Sequence, residues 1–107
     1  LYLTKDVKYI YSANLDGGSV SKIDANSGKK IFEKVLGKDI RRIAFNEDES
    51  IYAVTDFSKN QVIFLDASNN KIIKTIKTKN KPHGIIYDKN NKYFFVKIYE
   101  KNEILIN

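Results

Sequence analysis

Residues 40–56 read IRRIAFNEDESIYAVTD, and residues 82–98 read PHGIIYDKNNKYFFVKI. Both stretches pass from an apolar run through a polar cluster into a second apolar run, and they start 42 residues apart. The same spacing relates Asp24 to Asp66, each of which ends an apolar run. With one extra residue at Lys30, a single register relates the chain from end to end, so the sequence is built of repeats.

Each repeat contains four short apolar runs separated by residues that favour turns. In the second repeat these runs are RIAF, SIYAVT, QVIFLD and KIIKTI, separated by NEDE, DFSKN and ASNN. Short β-branched and aromatic runs bounded by Asn, Asp and Ser are typical of β-strands. After the third run, Asp24 and Asp66 are placed to accept backbone N–H groups, while Gly28 and Asn70 suit a left-handed conformation. The pattern predicts antiparallel strands with little or no helix.

Four antiparallel strands in a repeat of about forty residues are typical of a β-propeller blade, so the predicted fold class is all-β. We predict one propeller segment over residues 1–107, with a first blade at about 1–36, a second at about 43–78 and a partial third at about 85–107. Because a closed propeller has about 4 to 8 blades, this propeller is incomplete. The remaining blades or another chain are the expected partners, and a start at Leu1 is expected of a processed or excised piece.

Several motifs resemble the YVTN-type β-propeller repeat family. The stretches IYSANLDGGSVSKID (10–24) and AVTDFSKNQVIFLD (53–66) resemble its Tyr-Val-Thr-Asn-like strand, which leads through a short loop to a Val-rich strand ending in Asp. The stretch KPHGIIYDKNNKYFFV (81–96) resembles the family's segment between blades. Only Asn14 keeps the Asn of the name motif, and Arg42 stands where the family usually has Gly. The resemblance covers essentially the whole chain and implies a periplasmic or extracellular (secreted) location.

The composition restricts the chemistry. Nineteen Lys and Arg against thirteen Asp and Glu give a net charge of +6, which favours anionic partners without choosing among nucleic acid, membrane surfaces and small anions. The absence of Cys and the presence of one His exclude thiolate sites and sites built on clustered imidazoles, so no metal ion is expected. No apolar stretch has the length of a transmembrane segment.

The segments that lead into the innermost strands carry the candidate binding residues. In a propeller such segments form one mouth of the central channel; here they are KDIRR (38–42) and KPHG (81–84). The register places Arg41 and His83 at equivalent positions. We therefore expect Arg41, Arg42 and His83 to converge at the mouth as a ligand-binding site for an anion. The alternative is that these are solvated loop charges without a ligand.

A cofactor is a second possibility at His83. Its segment resembles that of the nitrite reductase type haem-binding propellers, in which a His at the start of an innermost strand ligates a d-type haem, and this implies haem bound through His83. Pro-His-Gly is also typical of a turn whose imidazole bonds the neighbouring backbone. On the main prediction there is no cofactor.

The main functional prediction is a non-catalytic propeller segment that binds or scaffolds a protein, a glycan or an anionic ligand. Neither a Gly-rich phosphate loop nor a G-x-S-x-G motif is present, so an enzyme is not favoured. Two alternatives stay open. One is a haem-binding, redox or lactonase-type enzyme domain; the other is a nucleic-acid-binding propeller, for which the aromatic residues and lysines of KYFFVKIYEK (92–101) suggest base stacking.

Overall fold

The computed structural model describes residues 1–98 and 104–106, and none of these residues is helical. The described residues form eleven strands. In chain order these are β1 (Tyr2–Leu3), β2 (Tyr9–Asn14), β3 (Ser19–Asp24), β4 (Lys30–Val35), β5 (Ile40–Phe45), β6 (Ile51–Asp56), β7 (Gln61–Asp66), β8 (Ile72–Lys77), β9 (Pro82–Asp88), β10 (Tyr93–Ile98) and β11 (Ile104–Ile106). In this part of the chain there is therefore no helix with the length and apolar character needed to cross a membrane.

The strands form three sheets, each made of consecutive antiparallel hairpins. Strands β1 to β4 form the first sheet, β5 to β8 the second, and β9 to β11 the third, and each sheet follows the order of the chain. We call these sheets blades 1, 2 and 3. The predicted four-stranded antiparallel repeat is confirmed for blades 1 and 2.

The first strands of blades 2 and 3 begin at Ile40 and Pro82, three residues before the blade starts estimated from the sequence at 43 and 85. Both residues are buried, and they pair with Asp56 and Ile98 across a register irregularity. A bulge of this kind inserts extra residues into one strand without ending the pairing. The apolar burial of these two residues therefore holds each leading segment against the neighbouring strand.

The turns after the third strands have the predicted chemistry. Asp24 Oδ1 accepts two backbone N–H groups of its own turn at 2.9 Å each, and Asp66 Oδ1 accepts one at 2.8 Å. Gly28 and Asn70 have left-handed conformations, with φ of 75° and 59°. Hydrogen bonds donated within the turns lower the pKa of both carboxyl groups. The turn prediction is confirmed.

The apolar core lies between blades. Between blades 1 and 2 the buried residues are Tyr11, Val20, Ile40, Phe45, Tyr52, Val54, Ile63 and Leu65. Between blades 2 and 3 they are Ala44, Ala53, Val62, Phe64, Ile85, Phe94 and Val96. In the first interface the Phe45 ring stacks on those of Tyr2 and Tyr52, with centroids 4.2 and 5.0 Å apart. Each blade is therefore stabilised mainly by the face of its neighbour.

The outward faces of blades 1 and 3 are not packed against another blade within the described residues. Alternation along β10 places Phe94 against Phe64 of blade 2, with ring centroids 5.4 Å apart, and places Tyr93 on the open side, where it is 48% exposed. Ile86 and Ile104 of blade 3 are exposed as well. Blade 3 therefore has an apolar outward face.

Candidate anion-binding mouth

The two leading segments lie side by side, as the 42-residue register predicts. Thr55, fully buried in β6, joins them: its Oγ1 accepts a hydrogen bond from the Arg42 N–H at 3.2 Å and donates one to the His83 carbonyl at 2.9 Å. Arg41, Arg42 and His83 are therefore brought to the same end of strands β5 and β9. We call the surface formed by residues 38–42, 57–58 and 81–84 the mouth.

The Arg41 guanidinium is paired within the chain. Its Nε and Nη2 donate to the two carboxylate oxygens of Asp39, each at 3.1 Å, and its Cζ lies 3.7 Å from the ring centroid of Phe57. The Ser58 hydroxyl also donates to Asp39, at 3.2 Å. A bidentate pair at this distance largely cancels the charge of Arg41 for a third group. Arg41 therefore shapes the mouth more than it attracts an anion.

Phe57 lies at the centre of the mouth. Beside the stacked Arg41, the Lys81 ammonium lies 5.4 Å from the Phe57 ring centroid, and the His83 ring packs edge-on at 6.1 Å. Cations over an aromatic face are attracted by the negative potential of the ring. From the sequence, Phe57 was predicted only to lie in a turn. The one signal for its role was an aromatic residue within the otherwise polar turn DFSKN.

The environment of His83 favours its neutral form. Burial lowers the pKa of the imidazole below its ordinary value of 6.5, and the charges of Arg42 and Arg41 lower it further. The Asp39 carboxylate opposes this shift without reversing it. His83 therefore adds less positive charge to the mouth than an ordinary histidine would.

Alongside the exposed Lys38, Arg42 and Lys81 carry the positive charge at the mouth. Both side chains are exposed. Arg42 Nη1 donates to the Arg41 carbonyl at 3.1 Å, and a guanidinium has five N–H groups, so further donors face solvent. Arg42 was predicted from the sequence as a binding residue, whereas Lys81 was not, although it begins the leading segment KPHG (81–84).

A buried carboxylate fixes the first leading segment. Asp56 is fully buried; its Oδ2 accepts the Lys38 N–H at 3.2 Å and its Oδ1 accepts the Asp39 N–H at 3.1 Å. Gln61 Nε2 donates to Asp56 Oδ2 at 2.9 Å. Gly37 lies so close that a Cβ on it would overlap this carboxylate. Asp56 thus determines where Asp39 stands at the mouth.

Haem bound through His83 stays an alternative hypothesis, which the packing of the imidazole on Phe57 disfavours. An axial His needs an open side within a largely apolar slot that holds the macrocycle. Here the imidazole packs edge-on against Phe57, and its pKa responds to the charges of Arg41, Arg42 and Asp39. The ring of Phe57 takes up space beside the imidazole, and the described residues show no apolar slot at His83, so no step through haem is derived.

Solved structures with the same arrangement of strands are β-propellers. The chain superposes on the hydrazine synthase of Kuenenia stuttgartiensis with a TM-score of 0.89 at 24% identity, over 97% of this chain and 30% of that chain. For the WD40 repeats of RRP9 the TM-score is 0.79 at 18% identity, over 97% and 36% of the two chains. For the dihydro-heme d1 dehydrogenase NirN in complex with DHE it is 0.79 at 20% identity, over 94% and 23%.

These likenesses establish the fold alone, because every identity is below 25%. The chain spans about a third or less of the length of these structures. No model of a known protein family matches it, and no curated protein matches it in sequence. The resemblance to the YVTN-type family therefore stays a prediction. The chain is an all-β, incomplete propeller of antiparallel blades.

Proposed function

We propose that this chain is a non-catalytic propeller segment that binds an anionic group at the mouth, within a propeller completed by further blades or by another chain. The contact of Thr55 with both leading segments carries the proposal, because it holds Arg42 and the segment of Lys81 and His83 side by side. A periplasmic or extracellular location belongs to the same proposal, through the family resemblance.

A binding role suits the groups at the mouth better than a catalytic one. The Asp39 carboxylate accepts both guanidinium hydrogen bonds of Arg41, and the imidazole of His83 packs on Phe57. A general base acts on a nucleophile within hydrogen-bonding reach, and both groups instead make contacts within the fold. The described residues contain no group of three or more His, Cys, Asp and Glu that is arranged to hold a metal ion.

The ligand that fits is a carboxylate, phosphate or sulfate group on a small molecule, a protein or a glycan. An Arg guanidinium binds such planar or tetrahedral anions through paired N–H groups, and a Lys ammonium adds a point charge. Base stacking at the mouth is disfavoured, because Phe57 already contacts Arg41, Lys81 and His83. The likeness to a WD40 protein supports a scaffolding role by analogy of fold.

Calorimetric titration with inorganic tripolyphosphate at two salt concentrations tests the proposal. The double variant Arg42→Ala/Lys81→Ala should weaken binding roughly tenfold or more, since each exposed charge contributes about 1 kcal/mol at contact distance in water. Its affinity should also fall less steeply with added salt. The matched control, Lys89→Ala/Lys92→Ala, removes two exposed lysines from the β9–β10 turn and should bind as the parent does. Equal affinity of the two double variants would place the anion elsewhere.

A further inference from the structure

The outward face of blade 1 is polar at positions that are apolar in the other blades. Ser12 and Ser21 correspond, 42 residues later, to Val54 and Ile63, which are both buried in the core between blades 1 and 2. A further 42 residues after Val54 stands Val96, which is buried against blade 2. The repeat therefore departs from its apolar pattern on this one face.

The polar side chains of this face form one hydrogen-bonded network. Asn14 Nδ2 donates to the hydroxyls of Ser19 and Ser21 at 2.8 Å each, and the Ser12 hydroxyl donates to Asn14 Oδ1 at 3.1 Å. The Ser19 hydroxyl in turn donates to Glu33 Oε2 at 2.6 Å. Ser19 and Ser21 are only 1% and 4% exposed, and the network borders an open cavity of about 470 Å³. The network thus fixes the orientation of the Asn14 side chain, and its Oδ1 can accept one further hydrogen bond.

Blade 2 shows what covers the equivalent face. Asp56 corresponds to Asn14 and Gln61 corresponds to Ser19 in the 42-residue register. Each pair is hydrogen-bonded: Asn14 to Ser19 at 2.8 Å, and Gln61 to Asp56 at 2.9 Å. On blade 2 the carboxylate of Asp56 also accepts two backbone N–H groups, from residues 38–39 of the segment that leads in from the preceding blade.

We propose that the outward face of blade 1 is a docking surface for a further propeller blade, whose leading segment donates a backbone N–H to Asn14 Oδ1 and carries glycine at the place of Gly37. Asn and Asp have the same shape, so the lack of room for a Cβ beside Asp56 applies beside Asn14. An amide oxygen has two lone pairs, and Ser12 uses one. One backbone N–H is therefore expected at Asn14, whereas the two oxygens of Asp56 accept two backbone N–H groups.

This inference rests on the proposed completion of the propeller by further blades, and it is independent of anion binding at the mouth. The occupant is defined by a contact that the chain already makes once, because blade 1 docks on blade 2 through the same positions. A failure of tripolyphosphate to bind would leave this docking surface untouched, and a failure of docking would leave the mouth untouched.

The test supplies the occupant from the chain's own repeat. Residues 1–42 are added directly before Leu1, so that an added copy of the segment 37–39 precedes blade 1 at the spacing at which the original precedes blade 2. Amide hydrogen exchange, followed by NMR, then reports on residues 38 and 39 of the added and original segments separately. The original segment, held by Asp56, serves as the internal reference.

At least one of these two amides should be protected from exchange in the added segment. Asn14→Ala in the original blade 1 should reduce that protection roughly tenfold, which is the equivalent of one net hydrogen bond. The protection of the original segment 38–39 should not change. Gly37→Ala in the added segment alone should also reduce the protection of the added amides, and it leaves the residues of the original chain unchanged. The control Asn26→Ala changes an exposed turn residue and should affect neither segment. Exchange of the added amides at the rate of an unfolded chain, or protection that persists in Asn14→Ala, overturns the proposal.

Discussion

Alanine in place of Gly37 should destabilise the protein strongly. The Cβ would overlap the carboxylate of Asp56, which is fully buried and accepts N–H groups from Lys38, Asp39 and Gln61. To make room, the carboxylate must rotate and lose at least two of these bonds. A hydrogen bond to a charged group contributes about 1.5 to 3 kcal/mol, so the expected loss is roughly 3 to 6 kcal/mol of the free energy of unfolding.

Gly84→Ala is the matched control in the second leading segment. A Cβ there would lie 3.8 Å from Lys97 Cβ, which is an ordinary van der Waals contact, and Gly84 is not among the residues with positive φ. The free energy of unfolding should therefore stay within about 0.5 kcal/mol or rise slightly, because alanine restricts the unfolded chain. Urea unfolding followed by far-ultraviolet circular dichroism measures both variants.

A double-mutant cycle separates overlap with Asp56 from other effects of a methyl group. Asp56→Ala removes the carboxylate, so Gly37→Ala should cost little in that background, and the two losses should fall short of additivity by about 2 kcal/mol or more. The reasoning is refuted if Gly37→Ala unfolds at the same urea concentration as Gly84→Ala. Full additivity in the cycle would equally refute it, because the cost would then lie elsewhere than at Asp56.

Two further predictions concern His83. Because its pKa is lowered in the folded protein, the unfolded chain binds the proton more readily. The contribution of His83 to stability should be constant above about pH 7 and fall as the pH drops below 6.5, and His83→Gln should flatten the dependence of the urea midpoint on pH between pH 7 and 5. A parent slope equal to that of His83→Gln would contradict this assignment. Protein purified from its native source should show no Soret absorption band, because the imidazole packs against Phe57. A band that is lost in His83→Ala would instead support the haem hypothesis.

The sequence could predict the strands and the convergence of the leading segments, because both follow from local pattern and from the repeat. Turn residues such as Asp24 and Asn70 act on their own backbone. Equivalence over 42 residues predicted that Arg41 and His83 lie close together, and both contact Phe57. These signals need no knowledge of how one blade is rotated against the next.

The chemistry of the mouth depended on contacts that the repeat does not encode. Asp39 precedes Arg41 by two residues, a spacing that puts both side chains on one side of an extended segment, and this was the available signal for their pairing. The contact of Phe57 with Arg41 and His83 joins the β6–β7 turn to both leading segments. It is set by packing between blades, and therefore no local pattern predicted it.

The two leading segments at the mouth are held by different sets of contacts, so they should respond differently to a substitution at Asp56. The first segment depends on Asp56, whereas the equivalent position in blade 3 is Ile98, an apolar residue that pairs with Pro82. Both segments bond to Thr55, through the Arg42 N–H and the His83 carbonyl, and the first is held by Asp56 in addition. A change at Asp56 should therefore displace Asp39 and release Arg41 from its ion pair, while Lys81 and His83 keep their places. The mouth would then gain a cation rather than lose its binding surface, so anion binding and stability should change in opposite directions.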